Sequence, residues 1–113
     1  MKVKVSEATG VVLDWMVAKC EGFIGADGKY TDEYCDSLRH DQDGGFSTDW
    51  ALGGPIIERE KISIRQWTNV PIVHAYMPEG EWSSDGESPL IAAMRCFVIS
   101  KLGEEVEVPD ELS

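Results

Sequence analysis

Ser88-Pro89-Leu90-Ile91-Ala92-Ala93-Met94-Arg95-Cys96-Phe97-Val98-Ile99-Ser100-Lys101-Leu102-Gly103 is the stretch on which the reading of this chain turns. The Ser88 hydroxyl can accept from a free amide of a first helical turn. Pro89 then stands at the first helical position, where its missing N–H costs nothing, and Gly103 supplies a stop. Leu90, Ile91, Met94, Phe97, Val98 and Leu102 recur at helical spacing on one broad face, with Arg95 and Lys101 away from its centre. The stretch predicts an amphipathic helix whose apolar face joins a core.

Upstream of that helix the period changes from helical to alternating. Ile62-Ser63-Ile64-Arg65-Gln66-Trp67 reads as one strand and Ile72-Val73-His74-Ala75-Tyr76-Met77 as a second, with Asn69 in the turn between them. The pair predicts an antiparallel hairpin. Pro78 to Gly86 reads as a loop that exposes Trp82. Downstream, Glu104 to Ser113 reads as a frayed acidic tail, so residues 1–103 form the domain.

The first half carries two more helices. Val3 and Val5 alternate with Lys2 and Lys4, a short edge strand, and Ser6 offers an N-cap. Val11 to Cys20 is mostly apolar with helical spacings such as Val12, Met16 and Cys20, and Gly22 is a stop. Gly10 moves the expected start toward Thr9, and a buried strand over Val11 to Leu13 is the alternative. Ser47-Thr48-Asp49-Trp50 begins another helix, capped by Ser47 or Thr48, with Asp49 at the positive end of the helix dipole. Gly53-Gly54-Pro55 then predicts either one kinked helix or a turn followed by a short helix from Pro55. Between Phe23 and Phe46 periodicity dissolves into glycine and acidic residues, with one helix-like turn at Tyr30, Tyr34 and Leu38.

At 113 residues and 42% apolar content, the chain suits a single domain with a real core. The reading is α+β: a small antiparallel sheet with helices packed on it. The net charge of -11 argues against a DNA or RNA duplex as partner. No apolar run approaches the ~20 residues of a membrane span, and Met1 to Val5 has no leader-like core, so a cytoplasmic protein without membrane contact is expected. Cys20, Cys35 and Cys96 are odd in number and lack paired spacing, which points to reduced thiols rather than a disulfide or zinc site.

No motif carries catalysis strongly. Asp41-Gln42-Asp43-Gly44 begins like a calcium loop, but Leu52 stands where the bidentate Glu belongs, so a solvated turn is expected and no metal. His40 and His74 share no diagnostic spacing with a Ser or Cys. Gly53 and Gly54 lack the pattern of a phosphate loop, yet glycines there can let a backbone approach a ligand or pack closely on a neighbouring helix. Trp50, Trp67 and Trp82 lie near element edges, where indoles stack on bases or complete a core. Arg59, Arg65 and Arg95 sit on regular elements and can pair with carboxylates or bind an anion.

Leu13-Asp14-Trp15-Met16-Val17-Ala18-Lys19-Cys20-Glu21-Gly22, Ser47 to Glu60, and Pro89-Leu90-Ile91-Ala92-Ala93-Met94-Arg95-Cys96-Phe97-Val98 occur together in this order. They closely resemble the NinX-like family of tailed-phage proteins. The helix order is also similar to a phage domain described as an α/β/α sandwich, which implies helices on both faces of the sheet. The resemblance implies expression in an infected bacterial cytoplasm. Setting and size then lead to an expected function: a homo-oligomeric, non-enzymatic counter-defence protein, without cofactor. It would sequester a small nucleotide-type signal, cyclic ADP-ribose-like or a cyclic dinucleotide. The expected site takes amides around Ser47, Thr48, Gly53 and Gly54, charge from Arg59, Arg65 or Arg95, and stacking by Trp50 or Trp82. The rival expectation is an acidic adaptor or inhibitor of a basic host enzyme. A third is a hydrolase of such signals using His40, Asp41 and Asp43.

Overall fold

A computed structural model describes residues 2–26, 28–29, 46–47, 49–66, 69, 71–78 and 82–109. In chain order these form β1 (Lys2–Lys4), a 3-10 turn (Val5–Glu7), α1 (Gly10–Cys20), α2 (Trp50–Glu60), β2 (Ser63–Gln66), β3 (Val73–Tyr76), β4 (Ser83–Gly86), α3 (Pro89–Leu102) and β5 (Glu105–Glu107). The fold class is α+β, as expected. Tyr30, Tyr34, Leu38, His40, Asp41, Asp43, Thr48 and Trp67 lie outside the described residues.

Helix α3 organises the fold. Its ends follow the local chemistry: the Ser88 hydroxyl accepts from the Ile91 amide at 3.2 Å, and Gly103 takes φ 93° beyond the last turn. Its interior corrects the expectation of a single apolar stripe. Every residue from Ala92 to Ile99 is buried, Arg95 included, the signature of a helix enclosed on all sides. One set of contacts joins it to the sheet of β2, β3 and β4, and another to α1 and α2. The layers therefore run from sheet to α3 to the α1–α2 pair, with α3 in the middle.

Helix α1 begins at Gly10 after Thr9, and Ser6 lies in the 3-10 turn instead of capping it. Leu13, Met16 and Val17 are fully enclosed in the core with Phe97 and Val98 of α3. Helix α2 runs unbroken through Gly53-Gly54-Pro55 and so takes the one-helix option. Its cap is Asp49, whose Oδ1 accepts from the Ala51 amide at 2.9 Å, rather than Ser47 or Thr48. A Cβ on Gly53 would lie 2.5 Å from the Phe46 carbonyl oxygen and 2.6 Å from Leu90 Cδ1. The glycine is what lets α2 approach the start of α3 so closely.

The expected hairpin forms, with Ile64 opposite Ala75 and Arg65 opposite His74. Two further strands correct the reading. Ser83–Gly86, expected as loop, is β4 and pairs antiparallel with β3. Ser, Asp and Gly have little strand preference of their own, but small residues are what this position admits. A Cβ on Gly86 would stand 2.6 Å from the Ala92 amide nitrogen. Glu105–Glu107, expected to be frayed, is β5 and pairs with β1, placing Lys2 opposite Glu107, Val3 opposite Val106 and Lys4 opposite Glu105. Opposite charges directly across an antiparallel pair contribute roughly 0.2–1 kcal/mol each. Lys-Val-Lys and Glu-Val-Glu are complementary patterns, and that complementarity was the signal in the sequence for this pairing.

Candidate functional site

Among the described residues the two sheets do not join. The order β2-β3-β4 ends at β4, and β1-β5 is separate. Beside β4 opens a groove of about 730 Å³, lined by all four residues of β4, by Lys4 and Ser6, by Glu104 and Glu105, and from below by Arg95 and Ile99. That volume falls within the roughly 300–1,000 Å³ of small-molecule sites, although this groove is open rather than enclosed.

Arg95 forms its floor. The residue is 8% exposed; Nε donates to the Ala8 carbonyl at 2.9 Å and Nη1 to the Asp85 carbonyl at 2.8 Å. One side chain thus links the chain after the 3-10 turn to β4. Burial lowers the Arg95 pKa, and the negative charges of Glu87 and Asp85 oppose that shift. Arg95 was expected off the buried face; it is buried because two main-chain carbonyls there need a donor.

The walls are mostly acidic. Asp85, Glu87, Glu104 and Glu105 share the lining with Lys4 and Arg95, four carboxylates beside two cations. His74, also in the lining, meets Asp85 Oδ1 through Nδ1 at 2.6 Å and stacks on Tyr76 with ring centroids 5.8 Å apart. The Ser84 hydroxyl, in a residue 8% exposed, has no hydrogen-bond partner among the described residues.

The other residues singled out in the sequence lie elsewhere. The Ser47 amide donates to Asp14 Oδ1 at 2.7 Å, and the Asp49 carboxylate occupies the N-terminal turn of α2. Carboxylates thus already stand where a phosphate would meet those amides. Burial raises the Asp14 pKa, and the hydrogen bond from the Ser47 amide holds the shift back. The space beside Gly53 is filled by Phe46 and Leu90, while a Cβ on Gly54 would meet only Trp50 Cε3, at 3.7 Å.

Arg59 makes a two-pronged bond to Glu21, with Nη1 to Oε1 at 2.9 Å and Nη2 to Oε2 at 3.0 Å, and Nε reaches Glu60 Oε2 at 2.9 Å. Those bonds, to Glu21 first and then Glu60, push its pKa further above the ordinary arginine range. Arg65 is exposed on β2, the far edge of the sheet from β4. Trp50 is 55% exposed at the start of α2 and Trp82 is 39% exposed just before β4. Of the nominated residues that are described, Arg95 is the one that lines the groove. The residues the sequence did not single out are those of β4 and β5. They carry no motif, and the pairing of β5 with β1 is what brings Glu104 and Glu105 beside Lys4.

Fold and groove define a small α+β domain with a mixed-charge cleft between two antiparallel sheets. Residues 4–101 match the family model described as Bacteriophage P22, NinX, and the chain belongs to that family. A comparison with curated proteins finds none that matches the chain. Among the described residues no helix is long and apolar enough to cross a membrane.

Proposed function

We propose that this NinX-family phage protein acts by binding, without catalysis, as an acidic adaptor or inhibitor that engages a basic segment of another protein in the host cytoplasm. The observation that carries the reading is the groove at β4, where Asp85, Glu87, Glu104 and Glu105 outnumber Lys4 and Arg95. The chain's charge of -11 adds a field that draws a cationic partner, raising association rates in a salt-dependent way.

Affinity purification from infected cells tests it. The wild type should retain a stoichiometric basic protein that is released as salt rises. The double variant Glu87→Gln with Glu104→Lys should lose that protein while keeping its fold. A variant that retains every partner of the wild type would falsify the proposal.

A second reading keeps the same groove for a small nucleotide-type signal, sequestered as a counter-defence measure by a homo-oligomer. One observation favours it: Arg95 spends Nε and Nη1 on carbonyls, and Nη2 carries no bond among the described residues. Calorimetry against cyclic dinucleotides and ADP-ribose derivatives tests this reading, and no heat across the panel at micromolar protein eliminates it.

A further inference from the structure

Among the described residues strand β4 is the edge of its sheet, and two hydrogen bonds show which way its main chain faces. The Trp82 carbonyl accepts from the Met77 amide, toward β3. The Asp85 carbonyl accepts from Arg95, away from β3. Residues of an antiparallel strand turn their N–H and C=O groups alternately to one neighbour and the other. Both bonds give the same parity: Ser84 and Gly86 face β3, and Ser83 and Asp85 face the groove. The Ser83 N–H, the Ser83 carbonyl and the Asp85 N–H are therefore turned toward the groove, beside the outward Asp85 carbonyl that the Arg95 guanidinium already takes up. Unpaired edge groups of this kind are a template for another strand unless something blunts them.

We infer that the outer edge of β4 docks an extended, basic segment of another protein, which adds to the order β2-β3-β4 as one more strand. The inference rests on the acidic-groove reading above and names its binding mode. The partner's chemistry follows from charge: an added strand in the groove passes Asp85, Glu87, Glu104 and Glu105, so Lys or Arg on the added strand meets carboxylates. Main-chain bonds to β4 supply the register, as in other strand additions.

The test uses the full chain and an eight-residue peptide of alternating Lys and Val, followed by fluorescence anisotropy. Two further peptides carry N-methyl groups at odd or at even positions, and a fourth replaces Lys by Glu. Strand addition predicts that one N-methylated register binds at least about tenfold more weakly than the other, since only one register points its amides at β4. Ser83→Pro, which removes an outward N–H of the kind that edge strands can spare, should weaken binding similarly. Hydrogen exchange at the Asp85 amide should slow when peptide is bound. Should Ser83→Pro fail to fold, the N-methyl pair on the wild-type chain decides alone.

Equal binding of both N-methylated registers, with the Glu peptide rejected, overturns strand addition and leaves the acidic-groove reading standing. No binding of the Lys peptide overturns both. Self-association of the free chain by light scattering, abolished by Ser83→Pro, overturns the inference by giving the edge to a second copy.

Discussion

Arg95 donates to the main-chain carbonyl of Asp85 at 2.8 Å, while the Asp85 carboxylate holds His74 Nδ1 at 2.6 Å. Backbone and side chain of one β4 residue thus serve opposite sides. The carbonyl anchors the edge of the sheet to α3, and the carboxylate remains on the exposed surface with the groove's other acids.

Truncating Arg95 should reveal that anchoring. Arg95→Ala leaves the Ala8 and Asp85 carbonyls without a donor, and a buried acceptor left unpaired costs about 1–3 kcal/mol. Urea denaturation should show a loss of roughly 2–6 kcal/mol for the pair of carbonyls. A loss well below 1 kcal/mol would mean that water takes over both bonds.

The two neighbouring glycines of α2 should respond in opposite directions. Gly53→Ala drives a Cβ against the Phe46 carbonyl and Leu90, and overpacking of this kind costs about 1–3 kcal/mol. Gly54→Ala meets ordinary contact at 3.7 Å and gains helix preference, worth up to about 1 kcal/mol. Thermal melts of the two variants should fall on either side of the wild type. Equal tolerance would show that the helices can separate at Gly53 at little cost.

Two thiols should be inert. Burial, with Glu21 adding to it, pushes Cys20 up to about 12, and burial pushes Cys96 up to about 11. At about pH 8 neither carries appreciable thiolate, the reactive form. Native alkylation read peptide by peptide should leave both unmodified, with labelling after denaturation. Rapid labelling of Cys96 in the native state would reveal opening between α3 and β4.

Asp14 should lower stability as pH rises. Burial raises its folded pKa above the unfolded value, so the native state holds the proton more tightly. Its contribution is most favourable below the ordinary carboxyl range of about 4 and is lost as pH climbs through the raised value. Asp14→Asn keeps an acceptor for the Ser47 amide and removes the titration. The stability difference between variant and wild type should therefore shift in favour of the variant across that window. A difference that does not change with pH would mean that Asp14 titrates alike in both states.

How much of this was legible depended on where the deciding interaction lay. Ser88, Pro89 and Gly103 act on their own helix ends, so their meaning could be read locally. The β2–β3 hairpin was legible through alternation over a short span. Strand β4 was not, because Ser83-Ser84-Asp85-Gly86 has no strand preference and is ordered by β3 on one side and the close passage of α3 on another. Strand β5 was half legible: Glu105-Val106-Glu107 alternates as clearly as Lys2-Val3-Lys4, but its partner lies at the other end of the chain. The expected anion site at α2 was read from glycines and caps alone, and only the fold shows Asp14, Asp49 and Leu90 already in that space.

By itself the sequence determined the α+β class, the stops of α1 and α3, the hairpin and the phage family, because each follows from local preference, periodicity or ordered blocks of residues. The tertiary structure decided that α3 is enclosed on every side and that Arg95 lies beneath a groove. It also decided that the open edge of β4 faces that groove. These depend on which distant carbonyls and strands come to need a donor or a partner, and only the packed chain brings those groups together.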